Sequence, residues 1–165
     1  MDKSLDSALV WFRRDLRAHD HAALSHALRS ARRVWCAFVF DRDILDALPR
    51  VDRRVEFIHD SLLDLDGQLH SLGLSQGNAE VGLLVGYGVA KAVVPAMALA
   101  LGVQAVFANH DDEPAALARD ASVRGALASA GIALHTSNDL SMRAVSRMAP
   151  EPAPRICPWP RNAST

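Results

Sequence analysis

Cysteine is scarce in this sequence, with two in 165 residues, Cys36 and Cys157. Two thiols so far apart offer neither a metal-ligand spacing nor a disulfide framework. A zinc module and a disulfide-stapled scaffold are therefore excluded, and a reducing, cytoplasmic location is expected. Cys36 lies in an apolar run and reads as a small buried hydrophobe. An excess of charge of one sign is also missing, since the net charge is −1. An independent nucleic-acid binder needs clustered cations to neutralise phosphates, so no direct DNA binding is expected of this chain alone. Its two basic clusters, Arg13, Arg14 and Arg17, then Arg50, Arg53 and Arg54, read as solvated faces or helix-end charges. The first residues, 1–6, hold two Asp and no apolar stretch, which excludes a secretory signal there. The one long stretch almost without charge, residues 92–108, is interrupted by Pro95, Gly102 and Gln104. It reads as helix, turn and strand rather than a membrane span, and no membrane partner is expected.

What is present is core-forming material, with half the residues hydrophobic, enough for one domain. Strand-like and helix-like segments alternate. Residues 7–12 form a short apolar run of strand type, and residues 21–31 a helix with Asp20 as its N-cap. The uninterrupted apolar run at 34–40 suits a strand buried on both faces of a parallel sheet. Val55, Ile58, Leu62, Leu65 and Leu69 recur at helical spacing and predict a long helix over 53–72, closed by Gly73. Further strands are expected at 81–85, 103–108 and 132–135, with helices at 90–101 and 114–130, the last opened by Pro114 and closed by Gly131. This alternation predicts an α/β fold, a Rossmann-like doubly wound sheet of about five parallel strands with helices on both faces. Ligands of such sheets sit beyond the carboxyl ends of the strands. That directs attention to residues 13–20, 41–52, 86–89 and 109–113. Residues 1–136 are read as the domain and 137–165, with five Pro and four Arg, as an irregular tail.

The string Trp11-Phe12-Arg13-Arg14-Asp15-Leu16-Arg17, followed by Asp20, Ala23 and Leu24, closely resembles the opening of DNA photolyases and cryptochromes. Arg13 and Arg17 are expected to pair with Asp15 and Asp20 and pin the loop that leaves the first strand. Phe38-Val39-Phe40-Asp41 with Ile44-Leu45 resembles the family's second strand and its loop. Arg53-Arg54-Val55-Glu56-Phe57-Ile58 with Ser61-Leu62-Leu63 resembles its third signature. Asn109 to Glu113, ahead of Pro114 and Ala118-Arg119-Asp120, resembles its N-x-x-x-E loop. In contrast, Gly86-Tyr87-Gly88 departs from the family pattern. It is no dinucleotide fingerprint either, because Lys91 stands where the third glycine would be.

The resemblance implies the N-terminal, antenna-binding α/β domain of a deoxyribodipyrimidine photo-lyase or cryptochrome, ending before the helical FAD-binding domain. It implies an antenna pigment, methenyltetrahydrofolate or 8-hydroxy-5-deazaflavin, held by Phe40, Asp41, Arg54, Asn109 and Glu113. FAD is not expected in this chain alone, nor is repair. Asn109 and Glu113 would offer an amide and a carboxylate to a pterin edge, although the acids at 111–113 also suit a helix start. Metal binding by His110, or by His19-Asp20-His21, is not expected. A separate FAD-binding domain is the expected partner, with self-association through an exposed apolar face. A stand-alone pigment or nucleotide module, and a truncated remnant with a frameshifted tail, stay open.

Overall fold

A computed structural model describes residues 3–48, 53–78, 81–138 and 155–156. Five parallel strands, β1 (Leu5–Phe12), β2 (Ala31–Asp41), β3 (Leu83–Gly88), β4 (Ala105–Asn109) and β5 (Ala133–Ser137), form a sheet in the order β3-β2-β1-β4-β5. The helices are α1 (Ala22–Ser30), the single turn α2 (Arg42–Leu45), α3 (Arg53–Ser75), α4 (Ala90–Ala100) and α5 (Pro114–Ser129). The doubly wound arrangement expected from the sequence is the observed one. A two-residue strand, β6 (Arg155–Ile156), pairs with Arg33 and Val34 of β2, in the stretch before β3 begins pairing at Cys36. Apart from Ser137, Asn138 and β6, the tail expected over 137–165 lies outside the described residues.

Alternation along β1 explains the two cores. Ala8, Val10 and Phe12 face α1 and α3, where they meet Leu24, Leu65 and Leu69. Leu9 and Trp11 face α4 and α5, against Val94, Ala98, Val123 and Leu127. Each fully buried Leu or Val contributes about 1.5–3 kcal/mol, so a central strand buried on both faces anchors both layers. The strand order reverses at β1, with β2 on one side and β4 on the other. The carboxyl ends of these three strands frame the crevice that such a topology creates in its middle. No helix among the described residues is long and apolar enough to cross a membrane.

Several local expectations are corrected. The N-cap of α1 is His21, whose Nδ1 accepts from the Leu24 N–H at 3.1 Å, while Asp20 takes a left-handed φ of 51°. The chain turns at Asp20, and the next residue becomes the cap. Gly73 does not end α3. It is buried inside the helix, and a Cβ there would run into the Val81 side chain and the Asn78 carbonyl. The left-handed residue after α3 is Gly77, with φ 73°. Strand β3 starts two residues later than expected and takes in Gly86-Tyr87-Gly88, so that segment is sheet edge rather than a loop before a helix. Only Gly88, at φ 143°, and Val89 are left to lead into α4.

The two glycines of α3 should respond oppositely to a methyl group. A Cβ on Gly67 would meet nothing within 4 Å, so Gly67→Ala should stabilise by about 0.5–1 kcal/mol through helix propensity. Gly73→Ala should destabilise by about 1–3 kcal/mol, because Val81 and the Asn78 carbonyl must move. Urea unfolding of the two variants measures both signs, and equal effects would show that the Gly73–Val81 contact is not tight.

Candidate functional site

The residue that follows β1, Arg13, carries a guanidinium that is almost wholly buried. Its Nη1 meets Asp120 Oδ1 of α5 at 2.6 Å, and its Nη2 donates to the backbone carbonyl of Asn109 at the end of β4. It also lies over the Trp11 ring, 5.1 Å from the centroid. A planar fork of donors is what allows one side chain to bind a carboxylate and a carbonyl at once. Asn109 continues the lattice with its own amide. Oδ1 accepts from the Ala23 N–H at 2.9 Å, in the first turn of α1, and Nδ2 donates to Asp15 Oδ2 at 3.1 Å. The loop after β1, the end of β4 and the starts of α1 and α5 are thereby tied together. The expected pairing of Arg13 with Asp15 or Asp20 is not the one observed. Arg17 does pair locally with Asp15, at 3.9 Å.

At the end of β2, Asp41 has a similar role. Its Oδ1 accepts from the backbone N–H of Asp43 at 3.2 Å and of Ala90 at 3.1 Å, capping α2 and holding the start of α4. Its Oδ2 faces Arg119 Nη1 at 3.7 Å. Between these groups opens a cleft of about 400 Å³, walled by Trp11, Phe40, Ile44, Arg54, Glu113 and Arg119. That volume lies in the ordinary range of small-molecule sites, about 300–1,000 Å³. Arg119 sits 5.7 Å from the Trp11 centroid on the same aromatic platform as Arg13. Its Nε is buried and has no hydrogen-bond acceptor, the one such side-chain atom among the described residues. An unsatisfied buried donor costs about 1–3 kcal/mol.

A second, more polar hollow adjoins the first over the β1–β4 switch point, lined by Arg14, Asp15, Asn109, Asp111 and Glu113 among others. Arg14 holds Glu113 and, at 3.3 Å, Asp111. Arg14 itself is exposed, and its pair with the half-exposed Glu113 is worth about 0–1 kcal/mol. Of the five residues named from the sequence, Phe40, Asp41, Arg54 and Glu113 converge on one cleft. Asn109 lies in the adjoining hollow with both ends of its amide engaged by the chain itself.

Trp11, Arg119 and Asp120 join the site without having been expected there, and Arg13 joins it from the first of the expected loops. One signal for them is visible in the sequence: Ala116, Asp120, Val123 and Leu127 share the buried stripe of α5. A carboxylate in such a stripe requires a buried cation. Elsewhere, burial pushes the Cys36 thiol up to about 12, so it is chemically inert. His26, whose Nδ1 is 2.9 Å from Ser137 Oγ, is held below its ordinary value by burial and then by Arg29 and His135. Among the described residues no three His, Cys, Asp or Glu are grouped to hold a metal ion.

Known proteins share this fold. The family model for DNA photolyase matches residues 8–155. A deoxyribodipyrimidine photo-lyase of Synechococcus sp. is 32% identical over 124 residues, covering 75% of this chain and 24% of the relative. Cryptochrome-2 of Gallus gallus is 30% identical over 138 residues, covering 84% of this chain and 22% of the relative. Among solved structures, an archaeal photolyase from Sulfolobus tokodaii, described as holding two FAD molecules and implicating a novel light-harvesting cofactor, superposes with a TM-score of 0.68. It is 31% identical, and the match covers 80% of this chain and 29% of that one. The chain thus spans about a quarter of the length of the relatives it matches.

Breaking the buried ion pair should be far more damaging than breaking the exposed one. Asp120→Ala should lower unfolding stability by about 3–5 kcal/mol, because it strands the Arg13 cation. Arg14→Ala should lower it by less than about 1 kcal/mol. A loss below about 1 kcal/mol for Asp120→Ala, measured in urea, would show that the pair is not the strut described. The depressed His26 sets a pH dependence as well. Its unfolded form binds protons more readily, so its contribution is complete above pH 6.5 and is lost as pH falls below that value toward the folded one. The thermal midpoint between about pH 8 and pH 5 should therefore fall less steeply for His26→Gln than for the parent chain, and identical slopes would contradict this.

Proposed function

The chain belongs to the DNA photolyase family, and from that premise we propose that it is the N-terminal, pigment-holding domain of a photolyase or cryptochrome. The observation that carries this reading is the cleft at the ends of β1 and β2. It is a preformed cavity with aromatic side chains and arginines along its wall. An antenna pigment bound there would absorb near-ultraviolet or blue light for transfer to a flavin. Phe40 and Ile44 supply apolar contact for a planar ring, and Arg54 on the wall supplies positive charge. Asp41 keeps α2 and α4 in place around the opening, so the cavity does not have to be assembled on binding.

The two pigments expected from the sequence, methenyltetrahydrofolate and 8-hydroxy-5-deazaflavin, both remain ligands of this proposal. Light-driven DNA repair is proposed only for an assembly that includes the family's FAD-binding part, either on the same longer chain or as a separate partner. The described residues contain no second domain that could hold FAD beside the α/β sheet. A stand-alone module of the same fold, holding a pigment or nucleotide in the same cleft, is the second reading. The lattice around the cleft supports it, because its hydrogen bonds and ion pairs are made between elements of this chain.

Absorption and fluorescence spectra of the purified chain, before and after adding each pigment, test the proposal. A bound pigment with a shifted near-ultraviolet or blue band is expected, with Arg54→Ala weakening binding by about tenfold, as loss of one charged contact should. A folded sample whose spectrum is unchanged by both pigments would contradict the proposal.

A further inference from the structure

We propose that the shelf between α1 and β5, at the β5 edge of the sheet, binds a tetrahedral oxyanion, a phosphate or sulfate group, through His26, Arg29 and His135. Strand β5 is the last on its side of the sheet, and α1 reaches only partly across it. His135 pairs in register with Phe107 of β4, and its ring lies on the Phe107 ring with centroids 4.9 Å apart. Phe107 belongs to the core under α1, so His135 stands on that face of the sheet, where it is exposed. Ser137, two residues along the strand, points the same way. Its Oγ lies 2.9 Å from His26 Nδ1 on α1. Arg29 follows His26 by three positions, the spacing of neighbours on one helix face.

The charge balance of this shelf is what points to an anion. Two charged groups act on His26, Arg29 from its own helix and His135 from β5, and both are cationic. Neither Arg29 nor His135 has a hydrogen bond or ion pair among the described residues. The nearby loop after β4 brings His110, whose N–H donates to the Ser137 carbonyl at 2.8 Å, but its imidazole is already matched by Asp112 at 3.1 Å. Other surface arginines of this chain, Arg14, Arg17, Arg32 and Arg42, each have a carboxylate within 4.0 Å. Cationic groups gathered from two elements without a carboxylate disfavour one another's charge, and a bound anion reverses that effect. The donors are placed in advance. Ser137 engages Nδ1 of His26 and leaves Nε2 as its second ring nitrogen, while Phe107 fixes the plane of His135. A guanidinium meets such an oxyanion with two parallel N–H bonds. Three cations at one point suit a single group, whereas a nucleic-acid strand needs a track of them.

Proton NMR of the histidine rings tests the proposal on the full chain, titrated between about pH 8 and pH 5 in sodium chloride and in sodium sulfate of equal ionic strength. Sulfate keeps its double charge throughout that range. The midpoints of His26 and His135 should rise by about one pH unit in sulfate, the shift that a tenfold preference for the protonated rings produces. His59, exposed beside Asp60 on α3, should not move and reports general ion effects. Equal shifts of all three histidines, or no shift, would overturn the site. Arg29→Gln should weaken sulfate binding about tenfold at pH 6 and reduce the shift, and a folded variant that keeps both would overturn the role of Arg29. Inorganic phosphate and phenyl phosphate, added to the parent chain at pH 6, distinguish a free ion from an esterified group by which binds more tightly. A response to sulfate with none to either phosphate would overturn the assignment to phosphate.

Discussion

A guanidinium buried at the end of the central strand is the constraint around which this molecule is organised. Arg13 cannot remain charged out of water without partners, and it has a carboxylate from α5, a carbonyl from β4 and the face of Trp11 beneath it. Each partner comes from a different element, so satisfying one charge sets the mutual positions of β1, β4 and α5. Asn109 then extends the constraint to α1 through Ala23 and to the β1 loop through Asp15. Asp41 repeats the device one strand over, reaching α2, α4 and Arg119. The rest of the sheet could tolerate changes of similar volume, as hydrophobic cores generally do. This polar corner could not, since removing one partner leaves the others buried and unpaired.

The cleft is a consequence of that corner. Strand order reverses at β1, which opens a crevice, and the lattice prevents it from collapsing. Rigidity at a binding site lowers the ordering cost of binding, and here it is obtained with backbone N–H groups at helix starts as much as with side chains. The lattice leaves one donor over, on Arg119, beside an aromatic platform. A structural network that satisfied every group would have no such remainder.

Much of this is legible in the sequence, and the limits have physical reasons. The alternation of apolar runs with helical stripes identifies the layers, because burial on one or both faces imposes its period directly on the residues. Photolyase-like strings place Phe40, Asp41, Arg54 and Glu113 near strand ends and helix starts, and these four converge on the cleft. Boundaries governed by single contacts are not legible. Gly73 looks like a helix stop, but its missing side chain makes room for Val81, a partner eight residues away that no local rule reveals. Asp20 looks like a cap, yet it takes the left-handed turn and leaves capping to His21. Arg13 reads as solvated or locally paired because its true partner, Asp120, is 107 positions distant. The roles of Arg119 and Asp120 need the fold to become visible, since adjacent opposite charges on a helix ordinarily face water.

The central claim is that the corner built on Arg13, Asp41 and Asn109 holds open a cleft that takes a planar pigment. A crystal structure of the chain grown with 8-hydroxy-5-deazaflavin tests it most directly. The account predicts ring density in the cleft between Phe40 and the Arg119 guanidinium, with the Asn109 amide still bridging Ala23 and Asp15. Density over the Asn109–Glu113 loop instead, with the Asn109 amide turned out to meet the ligand, would contradict it.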